Sequence, residues 1–418
     1  MSRADDLNAT LRRVHPAAAL NLSTAGEGLF YPQGIPTQSA EARGCAIDAT
    51  IGQVTDGHGH ALALPAIAEA IAALDFDQAT LYAPQGGRPD LRQAWRAHIQ
   101  ADAPAGPGPL TLPVATSGLT HGLCLVATLF ARPGGTLLLP DPCWGNYVAT
   151  FQRVFGARPR TWRLLRERPE PGQALDLDAF RAALAALTEP STLLLNFPSN
   201  PLGYSPTPDE AAAVVQAVDG SPVPLVVVCD DAYQGMVWEP SARRTSLFHD
   251  LSRLDPARVL AVKVDGATKE LFYFGGRVGF ISFGAEGEAA VVLEDKARAA
   301  ARATISSVSA TSQAVLARAL ASPDLAAQQQ AVRERLAGRY RALKDELHRA
   351  GLPSLPFNSG MFAMVPVPGD PEGLRKQLLT EGVGVVSLPE SRALRLSYGS
   401  VSRAEIPGLV RAIARHLG

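Results

Sequence analysis

Short β-branched or Leu-rich segments alternate with helical patterns between about residues 110 and 285. The apolar segments are short enough to be buried strands, and the segments between them repeat apolar residues at helical spacing. The predicted strands are 110–117, 136–142, 158–165, 191–198, 224–231, 258–266 and 277–284. Nearly continuous apolar strands separated by helices are typical of a mostly parallel sheet covered by helices on both faces, so the predicted fold class is α/β with a seven-stranded sheet.

The pattern changes after residue 285. A long helical region covers 286–351 and ends at Gly351-Leu352-Pro353, which is a strong stop signal. Three short apolar segments and a final helix follow, and they predict a smaller α+β domain. These elements are the strands 361–367, 382–388 and 393–400 and the helix 402–417.

The first 60 residues are loop-rich in this interpretation and are expected to join the smaller domain. The predicted organisation is therefore an N-terminal segment at 1–60, a large domain at 61–305 and a small C-terminal domain at 306–418.

The formal net charge of −1 gives no electrostatic reason to expect nucleic acid or an anionic membrane as a partner. No apolar run approaches the roughly 18 residues of a membrane span, and the N-terminus lacks the apolar segment of a signal peptide. The four cysteines are far apart, which predicts neither a disulfide framework nor a metal site. We therefore expect a soluble cytoplasmic protein.

Lysine is rare in this chain, since only five of the 39 basic residues are Lys. Arginine stays protonated at physiological pH, whereas a desolvated lysine can lose its proton and act as a nucleophile. Lys269 lies three residues after the end of the predicted strand 258–266. It is therefore a candidate for amine chemistry, with a solvated surface lysine as the alternative.

Polar clusters follow several of the predicted strands, at the edge where an open α/β sheet binds its ligands. One cluster, 116–120, lies between a strand and a helix, where free N–H groups bind phosphate well. Ordinary helix capping by a hydroxyl is the alternative. The candidate phosphate ligands in this turn are Ser117, Gly118, Leu119 and Thr120.

Other strand ends carry charged and aromatic side chains. Asp230 ends a buried strand and needs a partner, which could be a protonated ring nitrogen, a helix cap or an ion pair. Arg277 could clamp a phosphate or pair with Asp230. Arg395 lies in an apolar strand, where it faces either a bound carboxylate or a structural salt bridge.

Taken together, these groups match pyridoxal 5′-phosphate (PLP), a pyridine ring with an aldehyde, a phenolic oxygen, a protonatable nitrogen and a phosphate. Lys269 would form the imine, and Asp230 would keep the ring nitrogen protonated so that the ring accepts electrons.

On these residues the sequence resembles the fold-type I PLP-dependent enzymes, and among them the class I aminotransferases of the aspartate and aromatic type, over about residues 48–400. The segments that carry the resemblance are "NFPSNPLG", "DDAYQGM", "TKELFYFGGRVG" and "LRLSYG". The resemblance implies that Asp230 binds the pyridine nitrogen. It places Tyr233 and Asn200 at the phenolic oxygen, with Asn200 also near the substrate.

The same resemblance implies that Lys269 forms the Schiff base and that Arg277 binds the phosphate. It also implies that Arg395 binds the α-carboxylate of the substrate. Lys269, Asp230 and Tyr233 are therefore the predicted catalytic residues.

Weaker similarities imply four further roles. Trp144 would stack on the cofactor ring, and the backbone at Gly52 would contact the substrate carboxylate. In a homodimer, Tyr82 would reach the phosphate of the neighbouring active site, and Arg302 would read a second substrate carboxylate there.

The sequence departs from the family pattern at several positions. Gly266 stands where a serine is common, and Thr268 is expected to replace its hydroxyl at the phosphate. Tyr147 stands where a histidine commonly supports the aspartate. His121 lies inside the phosphate-binding turn without an assigned role.

The predicted function is transfer of an amino group from an α-amino acid to a 2-oxo acid, with 2-oxoglutarate as the expected acceptor. A β-lyase or a decarboxylase on the same fold is the alternative, because a fold does not settle the reaction. A PLP-sensing module of a transcription factor is disfavoured because no DNA-binding segment is evident. A nicotinamide dehydrogenase is disfavoured because no strand ends in GxGxxG.

Overall fold

A computed structural model describes residues 2–32, 34–62, 64–103, 105–170 and 173–417 of the chain. Its strands are β1 Ile47–Asp48, β2 Val114–Thr116, β3 Thr136–Asp141, β4 Arg158–Arg163, β5 Leu165–Glu170, β6 Gln173–Leu175, β7 Ser191–Leu195, β8 Leu225–Asp230, β9 Val259–Asp265, β10 Gly279–Phe283, β11 Phe362–Pro366, β12 Val383–Gly384, β13 Val386–Leu388 and β14 Ala393–Ser397.

The helices of the first half are α1 Arg3–Val14, α2 Pro16–Leu20, α3 Thr24–Gly28, α4 Ile35–Glu41, α5 Pro65–Ala72, α6 Phe76–Thr80, α7 Pro89–Ala101, α8 Gly118–Phe130, α9 Leu177–Ala185 and α10 Pro208–Asp219. Those of the second half are α11 Phe248–Leu251, α12 Ala267–Glu270, α13 Gly287–Ile305, α14 Ala310–Leu320, α15 Leu325–Arg349, α16 Pro371–Thr380 and α17 Ile406–Leu417. A π-helical segment covers Val148–Val154, and 3₁₀ turns cover Phe274–Gly276 and Pro389–Ser391.

A seven-stranded sheet forms the centre of the molecule, in the order β2-β10-β9-β8-β7-β3-β4. Neighbouring strands are parallel except around β10, which runs antiparallel to β2 and β9. Each strand lies within one of the seven segments predicted from the sequence. Every residue of β7 and of β10 is buried, and since successive side chains point to opposite faces, both faces of the sheet are covered. The predicted fold class is confirmed.

A second sheet, antiparallel in the order β11-β14-β13, follows the long helix α15. Strand β1 from the N-terminal part pairs in parallel with β12, so the N-terminal part packs with the C-terminal part of the chain. The boundaries predicted at residues 60 and 305 stay predictions.

The N-terminal part differs from the loop-rich segment expected, because α1 to α4 occupy much of residues 3–41. Two of its helix starts are capped by serine: the Ser2 hydroxyl accepts the Asp5 N–H, and the Ser23 hydroxyl accepts the Gly26 N–H. Helix α4 is tied to β13 by the Gln38 side chain, which bonds both the N–H and the carbonyl of Ser387.

In the part of the chain that is described, no helix is both long and apolar enough to cross a membrane.

Candidate active site

The carboxyl ends of β7, β8 and β9 bring the polar clusters together. Asp230, the last residue of β8, is paired in register with Val264 of β9, and Lys269 follows β9 in the short helix α12. Asn196, immediately after β7, links two of the clusters. Its amide nitrogen donates to the backbone carbonyl of Asp230 at 2.8 Å, and its amide oxygen accepts the Asn200 N–H at 2.8 Å. Asn196 was not among the residues predicted from the sequence, although its position directly after β7 is the signal that could have identified it.

Asp230 is buried and is held from two sides. The Tyr147 hydroxyl donates to Asp230 Oδ2 at 2.6 Å, and the Ala232 N–H donates to Oδ1 at 3.2 Å. Burial raises the pKa of Asp230, and the Tyr147 hydrogen bond opposes that shift. Burial and the nearby carboxylate both raise the pKa of Tyr147, so the phenol keeps its proton and remains a donor. Tyr147 therefore supports Asp230 where a histidine is common.

The Lys269 amine lies 5.2 Å from the centre of the Tyr233 ring. Burial lowers the pKa of Lys269, since desolvation disfavours the charged amine. The negative charge of Asp230 opposes this shift, and the positive charge of Arg277 adds to it. The site thus favours a neutral, nucleophilic amine more than a surface position does.

Asn200 lies between Tyr233 and Arg395. Its amide nitrogen is 3.5 Å from the Tyr233 hydroxyl, and its amide oxygen is 3.5 Å from Arg395 Nη1. Burial raises the pKa of Tyr233. This arrangement places a phenol, an amide and a guanidinium in one row beside the lysine.

Arg395 is a buried cation at the centre of β14, and only 2% of it is exposed. Its guanidinium lies 4.3 Å from the centre of the Phe362 ring and donates from Nη2 to the Thr50 carbonyl at 3.0 Å. Among the described residues, its Nε has no hydrogen-bond partner and no Asp or Glu forms an ion pair with it. Burial lowers the pKa of Arg395 to about 10. A buried guanidinium with a free donor is suited to a carboxylate from outside the chain.

The turn after β2 lies against the guanidinium of Arg277. Gly118 has a φ of +73°, and a Cβ atom there would lie 2.5 Å from Arg277 Nη2. The Ser117 side chain makes no capping bond to α8, so its hydroxyl and the first-turn N–H groups stay available. Leu119 in this turn is buried, whereas Thr120 is exposed.

Gly266 is explained by its neighbour across the sheet. A Cβ atom at this position would lie 2.5 Å from Gly279 Cα and 2.7 Å from the Val278 carbonyl oxygen. A serine therefore does not fit here. Two residues on, the Thr268 hydroxyl is buried and has no hydrogen-bond partner among the described residues.

Of the remaining predicted residues, two contact members of the buried site and two lie at the surface. Trp144 packs edge to face on Tyr147 with ring centres 5.5 Å apart, and a Cβ atom at Gly52 would lie 3.6 Å from Phe362. Tyr82 is 94% exposed, and Arg302 is exposed in the last turn of α13. Both of these side chains lie at the surface of the subunit.

The donor set fits PLP in three respects. The orphaned Thr268 hydroxyl and the close approach of Gly118 to Arg277 suit a phosphate, Asp230 suits a ring nitrogen, and the amine of Lys269, whose pKa burial lowers, suits an aldehyde. A cavity of about 300 Å³ opens instead at the amino ends of β3, β7, β8 and β9 and contains none of these residues. The fold and the residues at its carboxyl edge thus define the class of PLP-binding transferases.

Comparison with known proteins agrees with this class. The sequence profile of the aminotransferase class I and II family matches residues 46–413. A solved aminotransferase from Anaerococcus prevotii superposes with a TM-score of 0.82 at 21% identity, covering 93% of this chain and 97% of that one. A mutant aspartate aminotransferase of Thermus thermophilus gives 0.76 at 20% identity, covering 94% and 99%. At these identities, the structures show the shared fold.

Among curated relatives, the aspartate aminotransferase of Musicola paradisiaca is 28% identical over 172 residues, which is 40% of this chain and 39% of that protein. The matched part thus spans about two fifths of this relative. The family profile covers most of the chain, and the protein belongs to the class I and II aminotransferase family. Members of this family use PLP, so the predicted cofactor is confirmed at the family level.

The lowered pKa of Lys269 predicts selective labelling in protein freed of cofactor. Reductive methylation at pH 7 should modify Lys269 faster than buried Lys263. Lys263 pairs with Asp231 and Asp265, and these carboxylates raise its pKa although burial opposes them. Peptide mass spectrometry measures both rates. Equal rates at the two lysines would contradict the environment described here.

Proposed function

We propose that this protein transfers the amino group of an α-amino acid to a 2-oxo acid, with 2-oxoglutarate as the expected acceptor. The observation that carries the proposal is the convergence of a buried, carboxylate-free Arg395 with Lys269 and Asp230. The family membership of the chain supports the same reaction. Bound PLP supplies a ring that accepts electrons from the Cα atom of the amino acid.

Lys269 is the proposed covalent attachment point for PLP and the proposed base. In its neutral form, its amine could accept the proton from the substrate Cα atom and donate it again. The lowered pKa favours the neutral form that both tasks need.

Asp230 is the proposed partner of the ring nitrogen. As a buried carboxylate, it can hold a proton there, and the 2.6 Å bond from Tyr147 orients the carboxylate. Asn200 and Tyr233 would donate to the phenolic oxygen, with Trp144 against the ring. Ser117 to Thr120, Thr268 and Arg277 would bind the phosphate.

Arg395 is the proposed binding site for the substrate α-carboxylate. The ring of Phe362 fixes the plane of its guanidinium at 4.3 Å, and the backbone at Gly52 lies against the same ring. A planar guanidinium with a free Nε can bind a carboxylate through two parallel hydrogen bonds.

The experiment that tests this function is a panel of amino acids, each assayed with PLP and 2-oxoglutarate. Formation of glutamate and of the matching 2-oxo acid would support transfer. Release of pyruvate and ammonia would indicate a β-lyase, and release of carbon dioxide a decarboxylase.

We also propose that two copies of the chain form a dimer in which Tyr82 reaches the neighbouring phosphate site. Three large apolar side chains close to it in the sequence, Ile71, Phe76 and Leu81, are more than half exposed, as expected of a surface that a partner covers. The proposed cytoplasmic location rests on the sequence alone.

Arg302 gives a prediction about substrate preference. If it reads a second carboxylate across the dimer, Arg302→Ala should lower kcat/KM for aspartate and glutamate by about 30-fold or more and leave alanine nearly unchanged. Steady-state kinetics with the three donors measure this difference. Equal losses on all three would refute the role, and Arg298→Ala one turn earlier on α13 is the matched control.

A further inference from the structure

His121 lies at the start of α8 and makes two hydrogen bonds that the proposed reaction does not use. Its Nδ1 accepts the backbone N–H of Ser117 at 3.1 Å. Its Nε2 lies 2.8 Å from the hydroxyl of Thr304, a residue of α13. The ring thus connects the turn after β2 with a helix 183 residues further along the chain.

The geometry defines the protonation of this ring. An Nδ1 that accepts from a backbone N–H carries no proton, so the proton of the neutral imidazole lies on Nε2 and is donated to Thr304. The Thr304 hydroxyl can accept it, because its own hydrogen is directed to the Ala300 carbonyl at 3.0 Å. Burial lowers the pKa of His121, which keeps the ring in the neutral form.

The N-terminus of α8 is capped differently from a standard capping box. In a capping box, the N-cap hydroxyl bonds a first-turn N–H, and a side chain returns to the N–H of the N-cap residue. Here His121 supplies only the return bond, and the Ser117 hydroxyl makes no cap bond. Ser117 is thus held by its backbone, while its hydroxyl and the next N–H groups remain available beside Gly118 and Arg277.

We propose that His121 is a positioning residue that holds the Ser117 turn in the shape that binds the phosphate of PLP. This inference rests on the proposed function, since it assigns the phosphate to the turn at the start of α8. His121 acts through Ser117 and does not touch the cofactor. Its effect must therefore depend on the presence of a phosphate group.

The test compares PLP with pyridoxal, which has the same ring and aldehyde and lacks the phosphate. Protein freed of cofactor is titrated with each compound, and the visible absorption gives the dissociation constants. His121→Ala should weaken PLP binding about tenfold and leave pyridoxal binding unchanged. A tenfold loss corresponds to one lost hydrogen bond together with a less ordered Ser117 turn.

Two further variants separate positioning from general stability. In His121→Asn, the amide oxygen can still accept the Ser117 N–H, so this variant should recover most of the PLP affinity. Thr304→Val keeps the shape of α13 but frees the ring, and it should weaken PLP binding by a smaller factor. These variants carry the test if His121→Ala does not fold, which its melting temperature shows.

The outcomes are distinct. Selective loss for PLP with recovery in His121→Asn supports the inference. Equal loss for PLP and pyridoxal, or no loss for either, overturns it while the proposed function stands. If the unmodified protein forms a visible complex with neither compound, the proposed function fails, and the inference fails with it.

Discussion

Replacing Lys269 with alanine should abolish amino-group transfer and remove the visible absorption of bound PLP. The side chain supplies both the covalent attachment and the proton transfer at the substrate Cα atom. Loss of a positioned general base alone costs up to about 10⁴-fold in rate, and loss of the attachment adds to it. Absorption spectra and kcat measured with the best donor of the panel test this expectation.

The melting temperature of the Lys269→Ala variant should show that the loss of activity is not caused by unfolding. Burial disfavours the charged form of the Lys269 amine, so removing it should not lower the melting temperature of the cofactor-free protein. Lys296→Ala, at an exposed position of α13, is the matched control and should keep both transfer and absorption. Retention of activity and colour by Lys269→Ala would remove the basis of the proposed reaction.

The proximity of Asp230, Asn200 and Lys269 could be predicted from the sequence because each lies at or just after the end of a strand. Asp230 ends β8, Asn200 follows β7 and Lys269 follows β9, and these strands are adjacent in the sheet. In a parallel sheet, carboxyl ends meet at one edge, so three short apolar segments were enough to predict proximity. The order of the strands was not needed for that conclusion.

Contacts between distant segments leave no local pattern in the sequence, and the contact between Tyr147 and Asp230 was indicated only through the family resemblance. The bond from Tyr147 to Asp230 joins residues 83 positions apart, and that from His121 to Thr304 joins residues 183 apart. The reason for Gly266 is the close approach of Gly279 on the neighbouring antiparallel strand. None of these contacts leaves a periodic or local signal in the chain.

Two other expectations show the same limit. The N-terminal segment was predicted to be loop-rich, but it contains helices: α1 is largely polar and buries only Ala4, α3 is five residues long, and local caps at Ser2 and Ser23 start these two. The roles of Tyr82 and Arg302 stay predictions, since they concern a second subunit.

Replacing Arg395 with methionine should lower kcat/KM for amino acids by about 30-fold to 3,000-fold, mainly through KM. Losing one partner of a buried, hydrogen-bonded ion pair costs roughly 2–5 kcal/mol, and each 1.4 kcal/mol is tenfold. Methionine keeps an unbranched chain against Phe362 but cannot bind the carboxylate. Steady-state kinetics with amino acids and with 2-oxoglutarate as the varied substrate measure the loss.

The same substitution should leave the cofactor-free protein about as stable as before. Burial lowers the pKa of Arg395 to about 10, which reflects the cost of keeping this charge away from water without a carboxylate partner. Removing such a charge offsets the loss of its bond to the Thr50 carbonyl. Urea unfolding measures this, and Arg403→Met, at an exposed position before α17, is the matched control.

These two measurements together distinguish a binding role from a structural one. A structural arginine would lose stability and activity in parallel when replaced, whereas a substrate-binding arginine loses only the affinity for carboxylates. An amine donor that lacks the carboxylate sharpens the distinction, because its slow reaction should be equal in Arg395→Met and in the unmodified protein. A methionine variant that binds amino acids normally would show that the carboxylate docks elsewhere, and one that unfolds early would show that β14 needs the charge.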